Sequence, residues 1–365
     1  MNLSPMRLCS CFAPLAPVFL GLVSLTGFAQ EPVSNSLPKN QIVATIPLGG
    51  VPSTTVVSPD SKFVYAANFV VNSFTTIVQV IDTSTNTITG TITLNQGSGL
   101  PDILTNTAAI TPDGSTLYVT EFLGTTIWVI DTASQQVTTT LTVSQPEGLA
   151  VTPDGTQLYV CNIDGTVTVI DTATNQITNT IEVGRAQGHL PWEVAFTPNG
   201  KKAYIAAKPN GSSRGKNKGY LAVIDTATQS VVASLLLTTG QGIPATPPIE
   251  AMAPNGRHLF YSQEKSIPVI STSSNQVVRT LQQSFSHLPA AITPNGKYLY
   301  MASEISGDTF NGVSTVESAS GSLVGQQIPL PYPSSVVIAP NGKFAYVITG
   351  VGTESSLYVV DISGS

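Results

Sequence analysis

The chain has 365 residues, a net charge of −6 and only 10% charged side chains. That balance gives no electrostatic reason for nucleic acid or anionic lipid to bind. The cysteines are Cys9, Cys11 and Cys161, so a chain cut after its leader keeps one thiol and no intramolecular disulfide.

Met1 to Arg7 opens the chain with one positive charge, and Phe12 to Phe28 is largely apolar. Gly27-Phe28-Ala29 places small residues at the −3 and −1 positions of a cleavage site. Residues 1–29 are therefore expected to be a secretory signal peptide, with export to the periplasm or the extracellular space. Pro14, Pro17 and the shortness of the apolar stretch argue against a spanning helix. No later segment is apolar for long enough to cross a membrane. Residues 30–365 are then expected to form one domain.

Seven times the chain repeats a phrase: a small residue, Pro, Asp or Asn, usually Gly, then a strand-like run. The prolines are Pro59, Pro112, Pro153, Pro198, Pro254, Pro294 and Pro340, separated by 40 to 56 residues. A period of this size marks stacked supersecondary units. In the third unit Glu147 to Thr152 is a short apolar strand, and Pro153-Asp154-Gly155-Thr156 is a turn. Gln157 to Asn162, Gly165 to Asp171 and Ile177 to Val183 supply three further strands, with a second turn at Thr172 to Asn175. Four short antiparallel strands per unit indicate an all-β, seven-bladed β-propeller.

The seventh unit stops after its third strand, near Asp361. Asn40 to Ile46 aligns with Asn175 to Ile181, the fourth strand of the third unit. Residues 40–48 are thus expected to complete blade 7 and close the ring, which removes its exposed edge.

The runs LYVTE (117–121), LYVCN (158–162) and VYAAN (64–68) each follow the proline turn and precede a V-I-D-T-type turn. In this the chain resembles the YVTN-type β-propeller repeat family, over nearly all of residues 30–365. The resemblance implies a seven-bladed propeller. It leaves open binding proteins, surface-layer components, electron-transfer subunits and sugar-lactone or carboxymuconate lactonases.

Turn chemistry absorbs most acids. Asp82, Asp131, Asp171, Asp225 and Asp361 end third strands, and Asp60, Asp113 and Asp154 sit in the proline turns, where they accept local N–H bonds. Both repeated turns share one face. The long departures from the repeat, including Lys208 to Tyr220, lie on the other, and so does any site. At that end of the innermost strands stand Glu147, Trp192, Glu193 and Glu250, with His189 and His287 in loops between blades. Glu250 occupies a column otherwise filled by Thr, Ala, Leu or Val.

Ligand or partner contact is therefore assigned to Glu147, His189, Trp192, Glu193, Glu250 and His287. The expected function is a binding or interaction module for a small molecule or protein, acting as a monomer without a cofactor. The alternative is a lactonase or lyase using Glu193, Glu250 and His287, with or without a divalent metal. The stretch KPNGSSRGKNK (208–218) is expected to be a solvated basic loop without an aromatic residue for base stacking. Cys161 is expected as a small buried filler, and His258 as an exposed strand residue.

Overall fold

Blade 3 shows why the repeat folds as it does. Its strands Pro146–Val151, Gln157–Asn162, Thr166–Asp171 and Gln176–Glu182 pair antiparallel in that order. Its second strand is continuously apolar from Leu158 to Cys161, so Leu158 and Val160 face blade 2 while Tyr159 and Cys161 face blade 4. At the first turn the Thr152 hydroxyl donates to Asp154 at 2.6 Å, and Asp154 accepts the Thr156 N–H at 3.0 Å. Gly155 takes a positive φ of 78°. A Cβ there would stand 3.3 Å from Cδ of Pro112 in the preceding blade, so the turn glycine serves both conformation and close packing.

This is a computed structural model, and it describes residues 37–364 except 71–72, 74, 95–106, 122–123, 185–187, 210–217, 239–248, 263–265, 284–289, 304–310 and 352–353. The described strands form seven four-stranded antiparallel sheets, a seven-bladed β-propeller. Blades 1 to 6 begin at Val51, Ala108, Pro146, His189, Ile249 and Ala290. Blade 7 runs inward to outward as Pro333–Ile338, Phe344–Val351, Glu354–Asp361 and the N-terminal Gln41–Pro47. Among the described residues no helix is long and apolar enough to cross a membrane.

The second turn is tied to the first. Asp171 accepts the Thr174 N–H at 2.8 Å, while the Thr172 hydroxyl donates to the Gly155 carbonyl at 2.6 Å. The same link joins Thr132 to Gly114, Thr226 to Gly200 and Thr272 to Gly256. The Asp-Thr pair of one turn and the Pro-Asp-Gly of the other therefore act as a unit on one face of the ring.

Seven apolar clusters fill the seams between blades. Between blades 3 and 4, for example, Tyr159, Cys161 and Val167 meet Ile205, Ala207 and Tyr220. Cys161 is wholly buried and free, the filler expected from its sequence position.

Closure by the N-terminal strand follows the expected alignment. Gln41 pairs with Asp361 and Ile46 with Leu357, with a bulge at Val43 where the outer strand of blade 3 bulges at Thr178. Asn40 has φ 52° and its counterpart Asn175 has φ 56°. Lys39 forms an ion pair with Asp361 at 3.0 Å.

Candidate functional site

At the end of the inner strands remote from the proline turns, the ladder is interrupted. In blade 3 Pro146 pairs with Asn162 and Leu149 with Val160, so Glu147 and Gly148 stand in a bulge. In blade 4 Pro191 pairs with Ala207 and Glu193 with Ala206, which leaves Trp192 as the extra residue. In blade 5 Ile249 pairs with Tyr261 and Ala251 with Phe260, which leaves Glu250. Bulges re-aim side chains, and here three consecutive blades bulge at a residue singled out in the sequence. Blades 1 and 7 bulge at Ser53 and Ser334, whose hydroxyls donate to the carbonyls of Ala67 and Ile348.

Gly148 brings two of these bulges together. A Cβ at that position would lie 2.3 Å from the carbonyl oxygen of Trp192. Only glycine lets the inner strands of blades 3 and 4 approach so closely.

Glu147 is 5% exposed, and burial raises its carboxyl pKa while the charge of Lys208 opposes the rise. Lys208 is half-buried; burial lowers its ammonium pKa and Glu147 opposes the fall. Its Nζ lies 2.9 Å from the centroid of the Trp192 ring, a cation–π contact. The described ion pairs are Lys39–Asp361 and Lys62–Asp60, so Glu147 and Lys208 sense each other without direct contact. Two oppositely charged groups are thus both partly stripped of water and left apart, with an indole beside them.

Glu193 joins the same neighbourhood. Burial pushes the Cys161 thiol well up, with Glu193 and Glu147 adding to the effect. Burial also raises the Tyr261 hydroxyl, and Glu193 again contributes. Cys161 is therefore a protonated thiol in apolar surroundings, not a nucleophile. His189 stacks on Tyr220, with ring centroids 4.8 Å apart and planes 20° from parallel, so packing holds its ring.

Several expectations change. Lys208 does not belong to a solvated loop: the second strand of blade 4 runs Lys202–Pro209 and the third starts at Lys218. The apolar run Ala203 to Ala207 reaches Lys208 with no turn residue before Pro209, and that signal was legible. His258 is half-buried rather than exposed, because it starts a strand opposite Ser271. Burial, then Arg279 and Arg257, hold its imidazole below the usual value. The side chain of Glu250 and all of His287 lie outside the described residues. Among the described residues no three His, Cys, Asp or Glu side chains form a metal-holding group.

No family model matches the sequence, and no curated protein matches it. Solved structures do. The chain is similar to hydrazine synthase of Kuenenia stuttgartiensis at 19% identity and a TM-score of 0.69, covering 93% of this chain and 100% of that one. It is similar to the beta-propeller domain of Cps50 (Swd1) of Myceliophteria thermophila at 14% identity and a TM-score of 0.69, covering 89% and 100%. At such identities the likeness shows the fold alone.

Proposed function

We propose that the chain is an exported, YVTN-type binding module. Its small-molecule ligand sits on Glu147, Trp192 and Lys208, at the junction of blades 3 and 4. The Pro-Asp-Gly, Leu-Tyr-Val and Val-Ile-Asp-Thr phrases support the repeat family, and the apolar leader before Gln30 supports export. The observation that carries the site is the separated, desolvated pair Glu147 and Lys208 beside the Trp192 ring. Lys208 offers donors to an anionic group, Glu147 accepts a donor, and the indole covers an apolar body. A small carboxylate bearing hydroxyl or amino groups meets all three. Glu193 and His189 shape the rim.

The two tryptophans allow a direct test. Trp128 is buried between blades 1 and 2, so Trp128→Phe leaves Trp192 as the only indole. Its fluorescence is titrated with hydroxy acids, amino acids and uronic acids. A saturable change is expected for one class, and its loss in Lys208→Met and Glu147→Gln. A flat response across the panel, or one that survives Lys208→Met, overturns the reading. Export is checked separately by fractionation and by N-terminal sequencing, with Gln30 expected first.

A further inference from the structure

The turn face carries a charge pattern that the fold does not require. Asp in blade 3 and Asn in blade 6 share two acceptor bonds in the proline turns, and Asp154 accepts a third from the Thr156 hydroxyl at 2.9 Å. Asp154 accepts the Thr152 hydroxyl at 2.6 Å and the Thr156 N–H at 3.0 Å. Asn295 accepts the Thr293 hydroxyl at 2.7 Å and the Lys297 N–H at 2.9 Å. The turn therefore forms with either a charged or a neutral acceptor. Yet the choice is segregated: Asp60, Asp113 and Asp154 in blades 1 to 3, and Asn in blades 4 to 7.

The residue two positions later separates blades 2 and 3 from the rest. Blades 2 and 3 have Ser115 and Thr156, whereas blades 4 to 7 have Lys201, Arg257, Lys297 and Lys343. Blade 1 has Lys62, which pairs with Asp60 at 3.2 Å, so its proline turn is neutral and the acidic charge of this half lies in blades 2 and 3 and in the second turns. The second turns add Asp82, Asp131 and Asp171 to the acidic half. Hydrogen bonds from Ser, Thr and backbone donors hold these carboxyls below their usual range, so they stay ionised. Asp225, Glu317 and the Lys39-paired Asp361 only partly offset the basic half. The turn prolines are exposed in every blade, so the halves lie on one rim of rigid turns.

We propose that this face binds a second copy of the chain. The two rings meet turn face to turn face, about a twofold axis along the border between the halves. That operation lays the acidic turns of each copy on the basic turns of the other, an isologous contact made twice. The rim is preordered by its turns, so little conformational freedom is lost on docking. Charge complementarity of this kind governs encounter rate and register more than affinity, so the dimer is weak and sensitive to salt. The monomer expected from the sequence is the competing outcome.

The blades supply their own test variants. Asp113→Asn/Ser115→Lys with Asp154→Asn/Thr156→Lys gives blades 2 and 3 the Pro-Asn-Gly-Lys turn of blade 4. Asn199→Asp/Lys201→Ser with Asn295→Asp/Lys297→Ser does the reverse in blades 4 and 6. Both keep the turn acceptor and the fold. Sedimentation equilibrium of the purified protein is expected to show dimers at about 20 mM salt that weaken at least about tenfold at about 0.5 M. Each variant alone should lose the dimer, and an equimolar mixture of the two should regain it. A wild-type monomer at low salt, a dimer indifferent to salt, or a variant that associates as wild type does would each overturn the proposal.

Discussion

Removing the side chain of Asn40 should test the closure of the ring directly. Its Nδ2 donates to the Thr315 hydroxyl and to the Gln326 carbonyl, each at 3.0 Å, and its Oδ1 accepts the Tyr300 hydroxyl at 2.8 Å. All three partners belong to blade 6, so this one residue fastens the closing strand across the seam. In Asn40→Ala three bonds are lost, two of them buried and one partly buried, at about 1 kcal/mol each. The φ of 52° suits Asn but not Ala, which adds about 1 kcal/mol. The expected loss is about 4 kcal/mol, read from urea unfolding followed by circular dichroism. Asn40→Gly tolerates the φ and should lose about 3 kcal/mol. Asn175→Ala is the internal control: the same turn position, but one bond, from Tyr118 at 3.3 Å, and an expected loss of about 2 kcal/mol. If Asn40→Ala cost no more than Asn175→Ala, the reasoning about closure would be refuted.

Three further outcomes follow from the same geometry. Burial raises the pKa of Glu147 in the fold, so its contribution is fully present below the ordinary carboxyl value and declines as pH rises through the folded value. Glu147→Gln should therefore raise the melting temperature at neutral pH, and an unchanged or lower value would contradict the burial argument. Gly148→Ala drives a methyl against the Trp192 carbonyl and should destabilise by about 2–4 kcal/mol in the same urea assay; a shift below about 1 kcal/mol would mean that the two inner strands separate easily. The turn carboxyls Asp60, Asp113 and Asp154 are held low by hydroxyl and N–H donors, so their stabilisation is present above the ordinary Asp value and is lost as pH falls through the lowered ones. Asp113→Asn/Asp154→Asn should flatten the acid arm of a melting-temperature profile below about pH 4.

The propeller was legible because its instructions are local. Each proline turn is satisfied within about six residues, and the link from Thr172 to Gly155 spans a single hairpin. Even the closing strand announced itself, since Asn40 to Ile46 copies the turn exit and outer strand of blade 3, bulge included. Lys208 escaped for the opposite reason. Its surroundings come from Trp192 on another strand and Glu147 in another blade, and neither is near it in sequence. Half of the turn face was equally visible in the sequence, as Asp giving way to Asn. Only the bonds shared by Asp154 and Asn295 showed that the turn also forms without the charge.

The two ends of an inner strand can be judged by what a bulge requires. Ser53 and Ser334 meet the need with a small side chain that returns a hydrogen bond to the neighbouring carbonyl. Nothing in that geometry calls for a carboxylate or an indole. Glu147 is buried at such a point with its pKa raised, so it weakens the neutral-pH fold where serine would not. Lys208 is likewise half-stripped of water. Two desolvated charges in adjoining blades, with the Trp192 ring against Lys208, are hard to explain as scaffold. They are the pattern expected where stability is given up for contact with something outside the chain.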